Sequence, residues 1–328
     1  MGGSGWDKVF EEPVWPHYGA IGVTLNYRLG IFGNMVLPEL IEESGHAGNY
    51  NVYDQLAALQ WIYDNIEAFG GDPENITLMG QSAGARSVQM LAGAPKAKKL
   101  LRQIVMSSGG GSPSRLFDHI PSVEEAAAFW QEWQQMLGAK SLAELRAVPA
   151  QELMDSIGKM FGKHGFHQVI SFISPIFDNW DFPVPGTDSN LPNGWLDVPY
   201  LCGGTLDDIV PGLALDAKLW TAKQSSPSYS YCFSRPLPGD DKGSWHSADL
   251  WYWFGALDRC WRPFEETDYN LQNTMVAYLV NFARTGDPNG EGLPEWLSSQ
   301  ETELTMQLAE TVRMDKVPDP AEQKGAML

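Results

Sequence analysis

Cysteine is scarce in this sequence, and its scarcity limits the kinds of site that the chain can build. The three cysteines, Cys202, Cys232 and Cys260, stand far apart among 328 residues, and none has a metal-binding partner at short spacing. The first two lie in apolar runs that are typical of strands. We therefore expect free, buried thiols rather than a disulfide framework or a zinc site.

Basic residues are also few. The chain has 22 lysines and arginines against 41 aspartates and glutamates, which gives a formal net charge of -19. Such a surface repels nucleic-acid phosphates and anionic lipids, so neither nucleic acid nor membrane is expected as a partner. The acidic pairs at 207–208 and 240–241 lack the ligand spacing of a calcium loop, and no metal or organic cofactor is predicted.

Long hydrophobic runs are missing as well. No apolar stretch approaches the ~18 residues that span a bilayer, and the N-terminus has no basic segment followed by an apolar one. This pattern predicts a cytoplasmic protein.

The sequence does contain an alternation of apolar, strand-like runs with amphipathic helical stretches. Strands are predicted for Ala20–Asn26, Ile76–Met79, Gln103–Ser107, Val198–Cys202 and Tyr229–Phe233, and helices for Asn51–Phe69, Ala83–Leu91, Ser122–Phe161 and Asn270–Thr285. This order predicts an open α/β fold with a mainly parallel central sheet flanked by helices.

The length and the apolar content predict one large core. With 43% hydrophobic residues, we expect a single domain over residues 1–328. Within it we expect an irregular N-terminal segment over 1–19, a helical pocket or cap region over 110–185 and a tail over 315–328.

The most informative stretch is Gly80-Gln81-Ser82-Ala83-Gly84, which lies between a predicted strand and a predicted helix. A sharp strand-to-helix turn exposes a serine hydroxyl above the sheet. It leaves no room for Cβ atoms at the flanking positions, so glycines on both sides are typical of it. The stretch is therefore a candidate nucleophile elbow with Ser82 as the nucleophile.

Several blocks, in the same order along the chain, resemble the type B carboxylesterase family, the cholinesterase-like branch of the α/β hydrolases. They are residues 23–30 (VTLNYRLG), 48–55 (GNYNVYDQ), 58–61 (ALQW), 69–73 (FGGDP), 80–85 (GQSAGA), 108–109, 198–199, 203–208 (GGTLDD), 244–255 and 281–288 (NFARTGDP). The resemblance covers most of the chain. It implies an α/β-hydrolase fold, hydrolysis of carboxylic esters and catalytic residues in the order Ser, acid, His.

A serine nucleophile needs a histidine to accept its proton and a carboxylate to orient that histidine. His246 lies in a block, 245–250, that is similar to the family's catalytic histidine loop. The resemblance places the acid at Asp208, and the adjacent Asp207 is its competitor. The predicted triad is Ser82, Asp208 and His246. The remaining histidines are expected to be surface or structural residues: His17, His46, His119, His164 and His167.

The chain between Asp208 and His246 is short for the family. This shortness predicts an open site with a reduced lid, here Pro211–Ser228, and such a cover favours small esters over long lipids.

The oxyanion hole is the main departure from the family. Ester hydrolysis needs N–H donors aimed at the developing oxyanion, and the backbone N–H of Ala83 is one candidate. The family's His-Gly-Gly-Gly loop and the strand before it have no counterpart ahead of Ile21, and Gly2 and Gly3 are the candidate substitutes. Relative to the family, the sequence reads as N-terminally truncated, without the N-terminal strands and the oxyanion-loop strand.

In the family, that strand lies between the strands that end at Asn26 and Met79. We expect these two strands either to pair directly or to leave an apolar edge exposed, with lowered stability or a homo-oligomer formed through the incomplete sheet.

The resemblance also implies an ion pair between Arg28 and Asp72. It places Ser108 near the triad acid, with a plain strand-end serine as the alternative.

Two functions follow from these residues. The first is a serine carboxylesterase that hydrolyses small, short-chain carboxylic esters through an acyl-enzyme; a thioesterase or an amidase would use the same constellation. The alternative is a catalytically weak or inactive cholinesterase-like binding protein or fragment, because the oxyanion loop is missing. The complete triad favours the first.

Overall fold

The computed structural model describes residues 3–11, 13–111, 120–178, 181–182 and 194–320. Within these ranges, six strands form one sheet in the order β1-β2-β3-β4-β5-β6. The strands are β1 (Thr77–Gln81), β2 (Gln103–Ser107), β3 (Tyr200–Thr205), β4 (Tyr229–Phe233), β5 (Thr305–Leu308) and β6 (Arg313–Asp315). Strands β1 to β5 are parallel and β6 is antiparallel to β5. The predicted mainly parallel sheet is confirmed.

Helices cover both faces of this sheet. In the described ranges they are α1 (Gly30–Asn34), α2 (Pro38–Ser44), α3 (Tyr50–Asn65), α4 (Ala83–Ala92), α5 (Val123–Met136), α6 (Leu142–Ala147), α7 (Ala150–His164), α8 (Phe166–Phe172), α9 (Leu213–Thr221), α10 (Leu250–Trp253) and α11 (Glu266–Thr285). Short 3-10 helices cover Trp15–Tyr18, Ile66–Phe69, Pro95–Lys99 and Leu257–Arg259. None of the helices in these ranges combines the length and the apolar character needed to cross a membrane.

The core has three parts. One packs α3, α4 and α9 against one face of the sheet, and a second packs α10 and α11 against the other face. The third lies among α1, α5, α7 and α8, where Trp130, Trp133 and Met160 are completely buried. Fully burying a large apolar side chain contributes about 1.5–3 kcal/mol. This third core therefore gives the helices between β2 and β3 their own source of stability.

The predicted helix over 122–161 is wrong as a single element. It begins as expected, because Ser122 and Glu125 form a reciprocal capping box at the start of α5. Gly138, with a φ of 74°, then follows the end of α5, and Pro149 precedes α7. A residue before proline is pushed to an extended conformation, as Val148 is, so the stretch divides into α5, α6 and α7.

The predicted strand Ala20–Asn26 is wrong. No strand in the described part of the chain pairs with it, and β1 is left as an edge strand of the sheet. Extended backbone forms a strand only when a neighbour completes its hydrogen-bond ladder. Direct pairing of the two segments is therefore not observed, and Ile21 and Val23 of the unpaired segment are each 47% exposed. Homo-oligomer formation through this edge remains a prediction.

The predicted lid over Pro211–Ser228 is also wrong. Half of this segment is α9, which packs on β3 and β4 and buries Leu213, Ala217 and Trp220. The helix is the crossover that joins two parallel strands, and this connection has to lie on a face of the sheet. The segment therefore belongs to the core and not to a cover over the site.

Candidate active site

The turn at Ser82 has the geometry of a nucleophile elbow. Strand β1 ends at Gln81, α4 begins at Ala83, and Ser82 between them has φ 57° and ψ -120°. A positive φ at a non-glycine residue costs on the order of 1–3 kcal/mol and persists only where the surroundings enforce it. The N–H of Ser82 donates to the carbonyl of Ser107 on β2 at 2.8 Å, which fixes the turn to the neighbouring strand.

Only one of the two flanking glycines is required by space. A Cβ on Gly80 would overlap the carbonyl of Gly84 in the first turn of α4, whereas a Cβ on Gly84 would meet no atom within 4 Å. The expectation that both positions are too crowded for a Cβ is therefore correct at Gly80 and wrong at Gly84. A third glycine, Gly109, is equally constrained, since its Cβ would come within 2.6 Å of the Ser82 carbonyl oxygen.

The structure brings Asp208 and His246 into direct contact. The Nδ1 atom of His246 lies 2.6 Å from Oδ1 of Asp208, whose side chain is 1% exposed. Asp208 also accepts hydrogen bonds from the Thr205 hydroxyl and the Ile209 N–H, each at 2.8 Å. Burial acts to raise the pKa of Asp208. The hydrogen bond from His246 and the nearby hydroxyls of Ser108 and Thr205 outweigh burial and lower that pKa.

Asp207, the competing acid, points elsewhere. Its Oδ2 accepts hydrogen bonds from the N–H and the hydroxyl of Ser244, both at 2.9 Å, and its backbone forms a bridge with Trp245. It therefore fixes the start of the histidine loop. The two adjacent carboxylates have separate partners, because successive residues after a strand project in different directions.

Ser108 lies at the end of β2 and is completely buried, with a φ of 47°. Its hydroxyl is near enough to Asp208 to help lower the pKa of that carboxyl. It makes no hydrogen bond of good geometry to any described residue.

The predicted ion pair between Arg28 and Asp72 is wrong: the Arg28 guanidinium forms a bidentate pair with Asp54 at 2.7 and 2.8 Å. The Asp72 carboxylate accepts from the N–H of Glu74 instead.

Gln81 was not predicted as part of the site. Its Nε2 lies 3.2 Å from Nε2 of His246, the ring nitrogen that faces away from Asp208. Within the described residues the Ser82 hydroxyl makes no hydrogen bond, so Gln81 holds the place of a serine partner on the imidazole. No local sequence pattern indicates this contact, which depends on how the histidine loop crosses the end of β1.

Asp249 was missed for the same reason. It is completely buried, and its Oδ2 accepts hydrogen bonds from Ser107 and Tyr231, each at 2.8 Å, and from Trp253 at 3.3 Å. Burial raises the pKa of the Asp249 carboxyl. Because Ser107 also holds the N–H of Ser82, Asp249 connects the histidine loop to the base of the elbow.

Of the three candidate oxyanion donors, the structure describes Ala83 and Gly3. Ala83 is the first residue of α4, and its N–H is one of the first-turn amides that have no partner within a helix. Gly3 is exposed, and the chain around it is held by hydrogen bonds from Ser4 to Asp7 and from Gly5 to Asn26. Gly2 lies outside the described residues. All three roles remain predictions.

The other histidines and the cysteines lie apart from these contacts. His46 packs on Tyr53, and His164 contacts Glu132 at 2.9 Å; His119 lies outside the described residues. All three cysteines are free, Cys202 and Cys232 buried as predicted and Cys260 half-buried. Across the described ranges no three His, Cys, Asp or Glu side chains are grouped as metal ligands.

Comparison with known proteins agrees with this fold. The Carboxylesterase family model matches residues 3–218 and 210–324. Para-nitrobenzyl esterase of Bacillus subtilis (strain 168) is 28% identical, with 91% of this chain and 71% of the relative covered. Carboxylesterase 5A of Felis catus is 30% identical over 87% of this chain and 64% of the relative. A solved PNB esterase superimposes with a TM-score of 0.82 at 25% identity, over 98% of this chain and 78% of its own.

The chain therefore belongs to the carboxylesterase family. The family resemblance and the α/β-hydrolase fold predicted from the sequence are confirmed, and so is the enzyme class, carboxylic ester hydrolase.

Proposed function

We propose that this protein is a serine carboxylesterase that hydrolyses small, short-chain carboxylic esters through an acyl-enzyme. The observation that carries the proposal is the contact of Asp208 with Nδ1 of His246. The pair lies beside the strained serine turn, because Gln81, the residue before Ser82, touches the same imidazole. These contacts support Ser82 as the nucleophile, His246 as the base and Asp208 as the orienting acid, near the carboxyl ends of β1 and β3.

In the proposed reaction the Ser82 oxygen attacks the ester carbonyl while Nε2 of His246 takes the hydroxyl proton. Asp208 stays ionised, keeps the proton on Nδ1 and stabilises the imidazolium that forms. The lowered pKa of Asp208 supports this role, since the acid must remain a carboxylate at neutral pH. His246 then returns the proton to the departing alcohol.

Water completes the cycle by the same steps. It gives a proton to His246, attacks the acyl-serine and releases the carboxylic acid, which leaves Ser82 protonated again. In both halves the oxyanion accepts a hydrogen bond from the N–H of Ala83, and such a donor is typically worth about 10² to 10³ in rate.

The preference for small, short-chain esters rests on how the chain between Asp208 and His246 is used. This segment forms α9 and β4 and contributes to the core instead of to a cover over the site. A site without a wall from this segment has less apolar surface to hold a long acyl chain, so binding energy should fall off as the chain lengthens.

The test is burst and steady-state hydrolysis of nitrophenyl esters of increasing acyl length by the purified chain and by Ser82→Ala. Ser225→Ala, at an exposed serine after α9, is the matched control and should hydrolyse at the wild-type rate. We expect activity on the acetate and butyrate that disappears in Ser82→Ala. Equal background rates for the wild type and Ser82→Ala would instead support the weak or inactive binding protein.

A further inference from the structure

The imidazole of His246 is contacted on both nitrogens, and only one of the contacts is expected from a triad. Asp208 meets Nδ1 at 2.6 Å, and the Gln81 carboxamide nitrogen meets Nε2 at 3.2 Å. Gln81 is the last residue of β1 and is aligned with Ser107 of β2 in the parallel ladder. Its backbone position is therefore fixed by the sheet, and its side chain reaches the histidine loop.

The positions of the protons follow from the partners. An ionised carboxylate is acceptor-only, so the nitrogen facing Asp208 carries a proton. In the neutral ring the other nitrogen then has a bare lone pair, and the amide nitrogen of Gln81 is a donor pointed at it. To act as a nucleophile, the Ser82 hydroxyl has to transfer its proton to that same lone pair.

The charges around the ring make the neutrality of Gln81 significant. Asp208 contacts the imidazole directly, Asp207 holds the first part of its loop, and the buried Asp249 lies three residues after it. The carboxylate of Asp208 attracts a positive charge on the ring, because an opposite charge nearby stabilises the charged form. A carboxylate in place of the Gln81 carboxamide would lie against Nε2 and add a second contact of that kind.

Resting on the proposed function, we propose that Gln81 is a positioning residue that keeps His246 neutral in the free enzyme. It occupies the proton-accepting nitrogen until the Ser82 hydroxyl replaces it. As an uncharged donor it stabilises the ring with Nε2 unprotonated, and this is the form able to act as a base.

The test replaces the carboxamide by its charged isostere. In Gln81→Glu the carboxylate would bind a protonated Nε2, and we expect the acid limb of the kcat/KM profile to move up by at least about 1 pH unit. On that limb the variant is then about tenfold slower than the wild type. Gln131→Glu, at an exposed position on α5, adds the same charge elsewhere and should leave the limb in place. A Gln81→Glu profile that coincides with the wild type would overturn the proposal.

A measurement that does not use catalysis separates this inference from the proposed function. Nitrogen NMR of the His246 ring in Ser82→Ala reports which ring nitrogen is protonated at each pH. We expect protonation of Nε2 at higher pH in Ser82→Ala/Gln81→Glu than in Ser82→Ala. If the wild type shows no Ser82-dependent hydrolysis, the proposed function fails while the NMR result still decides the role of Gln81. Equal titration of the ring in the two variants sinks the inference even in an active enzyme.

Discussion

Removing the buried carboxylate of Asp249 should destabilise the protein by about 2–4 kcal/mol. In Asp249→Ala the hydroxyls of Ser107 and Tyr231 and the indole N–H of Trp253 lose their common acceptor. All three donors are buried, and an unsatisfied buried group costs about 1–3 kcal/mol. The 3.3 Å indole contact is the weakest. Part of this destabilisation is offset, because Asp249→Ala also removes the unfavourable desolvation of the carboxylate itself.

Urea unfolding followed by tryptophan fluorescence measures this change as a lower midpoint with an unchanged slope. A double-mutant cycle with Tyr231→Phe tests the cause. Removing donor and acceptor together should cost at least about 1 kcal/mol less than the sum of the two single changes. A loss below about 0.5 kcal/mol in Asp249→Ala, or strict additivity in the cycle, would refute the reasoning.

The same carboxyl also gives a pH signature. Its pKa is raised in the folded state by burial, so the native protein holds this proton more tightly than the unfolded chain. Its contribution is therefore complete below the unfolded value of about 3.9 and is lost as pH rises through the folded pKa. Asp249→Asn cannot ionise, and its unfolding free energy should lack this decline with rising pH.

Three further predictions test the site and its scaffold. Gly80→Ala should lower the melting temperature and abolish esterase activity, because its Cβ overlaps the carbonyl of Gly84, whereas Gly84→Ala should behave as wild type in both assays. Asp208→Asn should lower kcat by about 10⁴ with its unfolding midpoint little changed, because the amide no longer enforces the reactive tautomer; a loss below tenfold would contradict the triad. Arg235→Leu should cost about 3 kcal/mol in urea unfolding, because it leaves Asp268 buried without its 2.8 Å partner. The pKa of Asp268 is lowered chiefly by that arginine acting against burial, so the wild type loses this contribution as pH falls through the folded pKa, and the variant should lose less.

The parts of the fold that the sequence predicted are those with a strong local pattern. Strands β2 and β4 match their predicted ranges, and α4 follows the elbow as expected. β5 and β6 were missed because they are short and carry polar residues such as Gln307 and Arg313 among the apolar ones. Ala20–Asn26 shows the opposite error. Its apolar residues are typical of a strand, but a strand also needs a neighbouring strand to pair with. The local sequence carries no information about whether that neighbour is present.

The candidate site divides in the same way. Ser82, Asp208 and His246 were predicted because each lies in a block with its own composition and order. Gln81 and Asp249 were missed because their importance comes from what surrounds them in space. An aspartate after a histidine reads as a solvated loop charge until three buried donors are seen to converge on it.

These findings together indicate that, within the described sheet, the strand that leads to the serine turn has a paired neighbour on one side only. β1 is the edge strand of the described sheet, so all of its ladder contacts are with β2. The N–H of Ser82 is bound by the Ser107 carbonyl, its own carbonyl packs on Gly109, and the Ser107 hydroxyl is held by Asp249. Within the described residues, the strained φ of Ser82 therefore depends on β2, on the first turn of α4, where the Arg86 N–H donates to the Ser82 carbonyl, and on the start of α10, with no contribution from a strand beyond β1. Changes at Ser107 or Asp249 should for this reason disturb the nucleophile as well as the stability of the fold.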